Sequence, residues 1–144
     1  MNIVVDSSFI MSSILSDEQR LELEKIYNMI TDNSYKVFAP SIFYLECENV
    51  LISSIKRNRI PKTAYENYMR LIGLLPINID YFSASKESTY IIGKIATEYD
   101  LTSYDASYLE LALRINGQIG TLDKKLANSC GRANIELLLP SLLP

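Results

Sequence analysis

The chain has 144 residues, 48% hydrophobic and 22% charged, with five glycines and five prolines, which excludes disorder, collagen-like repeats and low complexity. That length is read as one domain spanning residues 1–144. With no histidine, the commonest neutral-pH base and the commonest zinc ligand are both missing, and the net charge of −3 gives no general attraction for phosphates.

In chain order, Asn2 to Asp6 is a β-branched run without alternation, as expected of a strand buried on both faces of a parallel sheet. Asp17 to Asn33 carries Leu23, Ile26, Tyr27 and Ile30 at helical spacing behind an Asp17-Glu18 start suited to the positive helix end. Lys36 to Ala39 is a second strand stopped by Pro40, and Ser41 is expected to cap a helix running to about Arg57. Pro61 opens a further helix that extends to Leu75. Ile77 to Asp80 is a third strand, and Ser85 to Tyr99 repeats apolar residues at helical spacing. Another helix starts at Thr102 or Ser103 and is closed by Asn116-Gly117. Gln118 to Thr121 is a fourth strand, Asp123 starts a short helix ending near Gly131, and Ile135 to Leu139 is a fifth strand. Strands alternating with helices predict an α/β architecture in which a parallel sheet carries helices on both faces.

No apolar run approaches the roughly 18 residues of a membrane helix, and Met1 to Asp6 lacks the features of a signal peptide, so a cytoplasmic protein without a membrane partner is expected. Cys47 and Cys130 are too few for a four-ligand zinc site and are expected to be reduced, mostly buried thiols. Tyr27 and Tyr99 are expected to be core or half-buried. The Leu138-Leu139-Pro140-Ser141-Leu142-Leu143 tail continues apolar beyond the last strand, which suits a partner surface.

In a parallel sheet, residues that follow the strands gather along one edge, where open α/β folds bind their ligands. Asp6 and Asp123 belong there, and Asp105 lies in the first turn of a helix that follows another helix. Glu46 and Asn49 share a helix face with apolar residues, and an inward carboxylate needs a partner or a cation. Taken singly, Asp6 and Asp123 read first as N-caps, and Asp105 has a capping-box spacing from Thr102. Taken together, the acids suit a hard cation such as magnesium or manganese, which prefers oxygen ligands and keeps several waters. Such an ion activates water for phosphodiester hydrolysis without an imidazole.

Four segments resemble the motifs of the PIN-domain ribonucleases, and within them the VapC-type toxins of toxin-antitoxin pairs. They are Asp6-Ser7-Ser8, Pro40 to Glu46 continuing to Asn49-Val50-Leu51, Tyr104-Asp105-Ala106 with Leu109 and Leu111-Ala112, and Thr121 to Leu126. The resemblance implies an α/β/α sandwich with a central five-stranded parallel sheet and a magnesium- or manganese-dependent endoribonuclease site. Asp6, Glu46, Asp105 and Asp123 would be its acids, with Asp6, Asp105 and Asp123 coordinating metal directly or through water and Glu46 holding or polarising a water. Ser8 and Thr121 would orient the acids, with Asn49 in a similar supporting place beside Glu46. Glu48 departs from the pattern, but two helical residues turn it about 200° away from Glu46.

Setting those acids aside leaves 13 acidic against 14 basic residues, so an RNA substrate is compatible with the charge. Lys124 and Lys125 beside Asp123 are the candidate phosphate contacts, whereas Lys56, Arg57, Arg59 and Lys62 read first as a solvated helix end. The resemblance also implies a homodimer and a small antitoxin whose basic segment could enter an acidic cleft. A PIN-like binding module without activity, and another magnesium-dependent phosphate hydrolase, stay open as alternatives. An aspartyl-phosphate phosphatase would need an aspartate where Ser8 stands.

Overall fold

The computed structural model of the chain describes residues 1–15, 20–32 and 34–138. Asp17, Glu18 and Asn33, the side chain of Leu23, and the tail from Leu139 lie outside the described residues. The elements run β1 (Asn2–Val5), α1 (Ser7–Leu15), α2 (Arg20–Thr31), β2 (Lys36–Pro40), α3 (Phe43–Lys56), α4 (Tyr65–Gly73), β3 (Asn78–Asp80), α5 (Lys86–Tyr99), α6 (Ser103–Ile115), β4 (Gln118–Gly120), α7 (Lys124–Arg132) and β5 (Leu137–Leu138). All five strands pair in parallel in the order β3-β2-β1-β4-β5, so the direction of winding reverses at β1. In open parallel sheets the strand ends beside such a reversal, here between β1 and β4, are where ligands bind.

Alternation along the strands sorts the core into two layers. Ile3, Val5, Val37 and Ala39 face α1 to α4 through Phe9, Met29, Phe43, Leu51 and Ile72. Val4 and Ile119 face α5 to α7 through Ile92, Leu109, Leu111 and Leu126. The two thiols divide between the layers, Cys47 in the first and Cys130 in the second, both free and buried. Burial, with Glu46 and Asp6 nearby, pushes the Cys47 thiol up to about 12, and burial raises Cys130 to about 11, so both are inert thiols at neutral pH.

Several local expectations are corrected. Residues 7–15, to which the pattern assigned no helix, form α1, because its serines turn inward to the chain. The Ser12 and Ser13 hydroxyls donate to the Phe9 carbonyl while Phe9, Ile10 and Met11 are buried. Ser41 does not cap α3, whose first turn follows Ile42 without a side-chain cap. Instead, the Ser41 backbone N–H and side chain both meet the Ser83 hydroxyl, tying the β2 and β3 ends together. Pro61 precedes a 3-10 turn over Lys62–Ala64 before α4, and α4 ends at Gly73. Tyr27 is 51% exposed, since Ile26, Met29 and Ile30 take the inward face of α2. At the end of α6 it is Asn116 that adopts the left-handed conformation, with φ of 51°. Gly117 serves differently, since a Cβ there would stand 3.1 Å from the Asn2 carbonyl oxygen.

Candidate active site

Asp6 is the first residue past β1, and its N–H donates to the Gly120 carbonyl at 3.1 Å, carrying the β1–β4 pairing one step beyond the strand. Its side chain caps α1 by accepting from the Phe9 N–H at 2.8 Å, and Oδ1 also accepts from the Ser8 hydroxyl at 2.7 Å. The Thr121 hydroxyl donates to Oδ2. Thr121 in turn accepts from the Asp123 N–H at 3.0 Å, and the Ser8 hydroxyl accepts from the Leu122 N–H at 2.9 Å. Ser8 and Thr121 therefore stitch the turn after β1 to the turn after β4, and both hydrogen-bond the Asp6 carboxylate. Close packing supports this seam, because a Cβ on Gly120 would meet the Phe9 ring at 3.3 Å.

Asp123 caps α7 through the Leu126 N–H at 2.8 Å and is otherwise exposed. Thr102 caps α6, but Asp105 closes only half of the capping box that its spacing suggested, meeting the Thr102 hydroxyl and not its backbone N–H. The Asp105 N–H donates to the Thr102 hydroxyl at 3.1 Å, and that hydroxyl donates to Asp105 Oδ2 at 2.7 Å. The cap roles are real, and they also point carboxylates at helix N-termini, whose dipoles favour negative charge. Glu46, half-buried in the first turn of α3, accepts a hydrogen bond from the Tyr108 hydroxyl of α6.

Burial and neighbouring charges act on two of the acids, Asp6 and Glu46. Burial raises the Asp6 pKa above the ordinary carboxylate value despite the three donors, and the Asp123 charge adds to the rise. Burial likewise raises Glu46, the Tyr108 hydrogen bond opposes it, and the charges of Asp6 and Asp105 reinforce it. Asp123 thus acts on Asp6, and Asp6 and Asp105 both act on Glu46. Among the described residues none of the four has an ion pair with lysine or arginine.

The arrangement is open. Among the described residues no three acids or thiols close into a ready cage for one ion. The donor set is oxygen throughout, and it fits a hard cation held by few carboxylates with water completing its shell. Asn49 is exposed one turn from Glu46, and among the described residues it makes no hydrogen bond to any of the acids. Glu48 points elsewhere, accepting from the Tyr65 hydroxyl at 2.6 Å. Lys124 and Lys125 are both exposed, and Lys125 lies 3.2 Å from Asp100 in an exposed ion pair. Tyr108 is the contact that sequence reasoning missed. A phenol three residues after Asp105, in an otherwise largely apolar stretch, was the available signal, because a buried hydroxyl needs a partner.

Residues 3–131 match the sequence model of the PIN domain, and the chain belongs to that family. Among curated proteins none matches. The fold is similar to that of PAE2754 from Pyrobaculum aerophilum, at 16% identity over 99% of this chain and 92% of that one, with a TM-score of 0.72. It is also similar to VapBC2 from Rickettsia felis, solved bound to a DNA fragment from their promoter, at 15% identity, 96% and 98% coverage and a TM-score of 0.69. A third likeness is to Mycobacterium tuberculosis VapC20, described as a sarcin-ricin loop cleaving toxin, at 12% identity, 88% and 94% coverage and a TM-score of 0.62. Each of these covers most of both chains, and the shared fold is the α/β/α sandwich with its five-stranded parallel sheet.

Proposed function

We propose that the protein is a metal-dependent endoribonuclease of the VapC type, the toxin of a type II toxin-antitoxin pair, acting in the cytoplasm on RNA phosphodiester bonds. The observation that carries this is the buried Asp6 at the sheet's winding reversal, 6% exposed, coupled to Asp123 and Glu46 and without a basic partner among the described residues. A buried charge needs compensation, and the chain supplies three hydrogen-bond donors there but, among the described residues, no cationic side chain.

Asp6, Asp105 and Asp123 would hold magnesium or manganese, partly through water, and that ion would supply Lewis acidity and a bound water of lowered pKa. Glu46 holds a water for attack, with its raised pKa suiting a group that accepts a proton. Ser8 and Thr121 fix the Asp6 carboxylate so that its orientation survives substrate binding. Lys124, next to Asp123, and Lys125, once released from Asp100, offer ammonium groups to the RNA backbone. Asn49 is kept only as a supporting residue on the same helix.

Two partners follow from the same proposal: a cognate antitoxin, whose basic segment the unpaired acids would attract, and a second copy of the chain in a homodimer. The Rickettsia felis and Mycobacterium tuberculosis structures, described as VapBC2 and as a sarcin-ricin loop cleaving toxin, support the antitoxin and RNA assignments by likeness of fold. A PIN-like binding module is the second candidate, favoured by the open spacing of the acids. Incubating purified protein with tRNA and rRNA transcripts, with magnesium, with manganese and with chelator, separates the two. Cleavage that requires metal and vanishes in Asp6→Asn is expected; cleavage indifferent to both, or none with either ion, overturns the proposal. A phosphate hydrolase would instead release phosphate from monoesters.

A further inference from the structure

Tyr108 lies one turn beyond Asp105 on α6 and is 1% exposed. Its hydroxyl belongs to the helical layer packed on one face of the sheet, while Glu46 belongs to α3 on the other. The hydrogen bond from the phenol to Glu46 Oε2 therefore passes over the sheet's edge and joins the two layers at the acids. We propose that Tyr108 is the positioning residue for Glu46, selecting which of its oxygens is left for water in the hydrolysis; this rests on the nuclease function above.

A glutamate has three rotatable side-chain bonds, and the Asp6 and Asp105 charges both push Glu46 away from them. Nothing basic among the described residues opposes that push. The phenol does. It has one proton to donate, that proton goes to Oε2, and among the described residues Oε1 has no protein hydrogen bond. One helix thus presents Asp105 itself and, a turn deeper, the group that holds a second acid in place. Phenylalanine would fill the same core volume, so packing alone does not explain the hydroxyl.

The test combines single-turnover cleavage of tRNA and rRNA transcripts with metal-free melting of four proteins: wild type, Tyr108→Phe, Glu46→Ala and the double variant. Tyr108→Phe should slow cleavage about 10- to 100-fold at unchanged RNA affinity, the cost of a misplaced group. In the Glu46→Ala background it should slow nothing further. Its melting temperature should fall by a few degrees relative to wild type, and it should not fall when Glu46 is already absent. Glu46→Asp, which keeps the charge but withdraws it from the phenol, should reproduce the rate loss. Cleavage by Tyr108→Phe within about twofold of wild type, or the same melting loss in both backgrounds, overturns the proposal. If wild type itself cleaves no RNA with either ion, the nuclease function falls and the role of Tyr108 falls with it. That result is distinct from an active wild type whose Tyr108→Phe variant is equally active.

Discussion

Two carboxylate clusters in this molecule solve the same electrostatic problem in opposite ways. Glu110, 4% exposed on α6, and Asp80 at the end of β3 share Arg114, which lies 2.8 Å from the first and 2.6 Å from the second. The same guanidinium sits over the Phe82 ring, 4.8 Å from its centroid, and hydrogen bonding to Glu110 raises its already high pKa. At the other cluster, Asp6 is as deeply buried as Glu110, yet only hydroxyls and N–H groups meet it. The chain places an arginine beside Glu110 and Asp80 and, among the described residues, none beside Asp6. Hydroxyl donors orient a carboxylate without cancelling its charge, which leaves it available to a cation from solution.

The largest expected break in this contrast comes from neutralising the unpaired cluster. Asp6→Asn or Asp105→Asn should lower metal-dependent RNA cleavage by a factor of about 100 or more while leaving the far-ultraviolet circular dichroism unchanged. Next, Arg114→Met should strand Glu110 and Asp80. It should lower stability by about 2 kcal/mol, less than a fully buried pair would lose because Arg114 is about a third exposed, with cleavage unaffected. Chemical denaturation alongside the cleavage assay reads both outcomes.

A smaller effect distinguishes the clusters by pH. The folded Asp6 and Glu46 carboxyls have pKa values above their ordinary ones, so between the ordinary and the raised values the folded chain keeps protons that the unfolded chain has released. Their contribution is present at low pH and is lost as pH rises through the folded values. Metal-free protein should therefore melt higher in mildly acid solution than at neutral pH. Millimolar magnesium or manganese should raise the neutral melting temperature of wild type but not of Asp6→Asn. The smallest effect belongs to the phosphate contacts: Lys124→Ala should weaken RNA binding a few-fold and reduce the slope of log affinity against log salt by about 1.

Much of this was legible in the sequence, for identifiable reasons. The strands after which Asp6 and Asp123 stand are β-branched or tightly bounded, Asp123 is the N-cap it reads as in the sequence, and Thr102, one of the two starts offered for α6, is its N-cap. The helix N-terminus carrying Asp105 follows another helix rather than a strand, so only tertiary packing brings its charge to bear on Glu46. Helix α1 escaped because four of its nine residues are serine, a poor helix former unless its hydroxyl finds a nearby carbonyl. Ser41 had the residue type of a cap and the wrong place in the turn, its donor and acceptor groups being drawn to Ser83, 42 residues away. Tyr108 spaced like any core residue, and its partner on α3 lies 62 residues distant, beyond the reach of periodicity.

The seam between Thr121 and Asp6 spans 115 residues of chain. Because β4 must dock against β1 before Asp6 acquires Thr121 or the charge of Asp123, no amino-terminal fragment can possess the completed centre. A nascent chain that has not yet formed β4 therefore leaves the Asp6 carboxylate without the Thr121 hydroxyl, so the full set of bonds at this position comes late in synthesis.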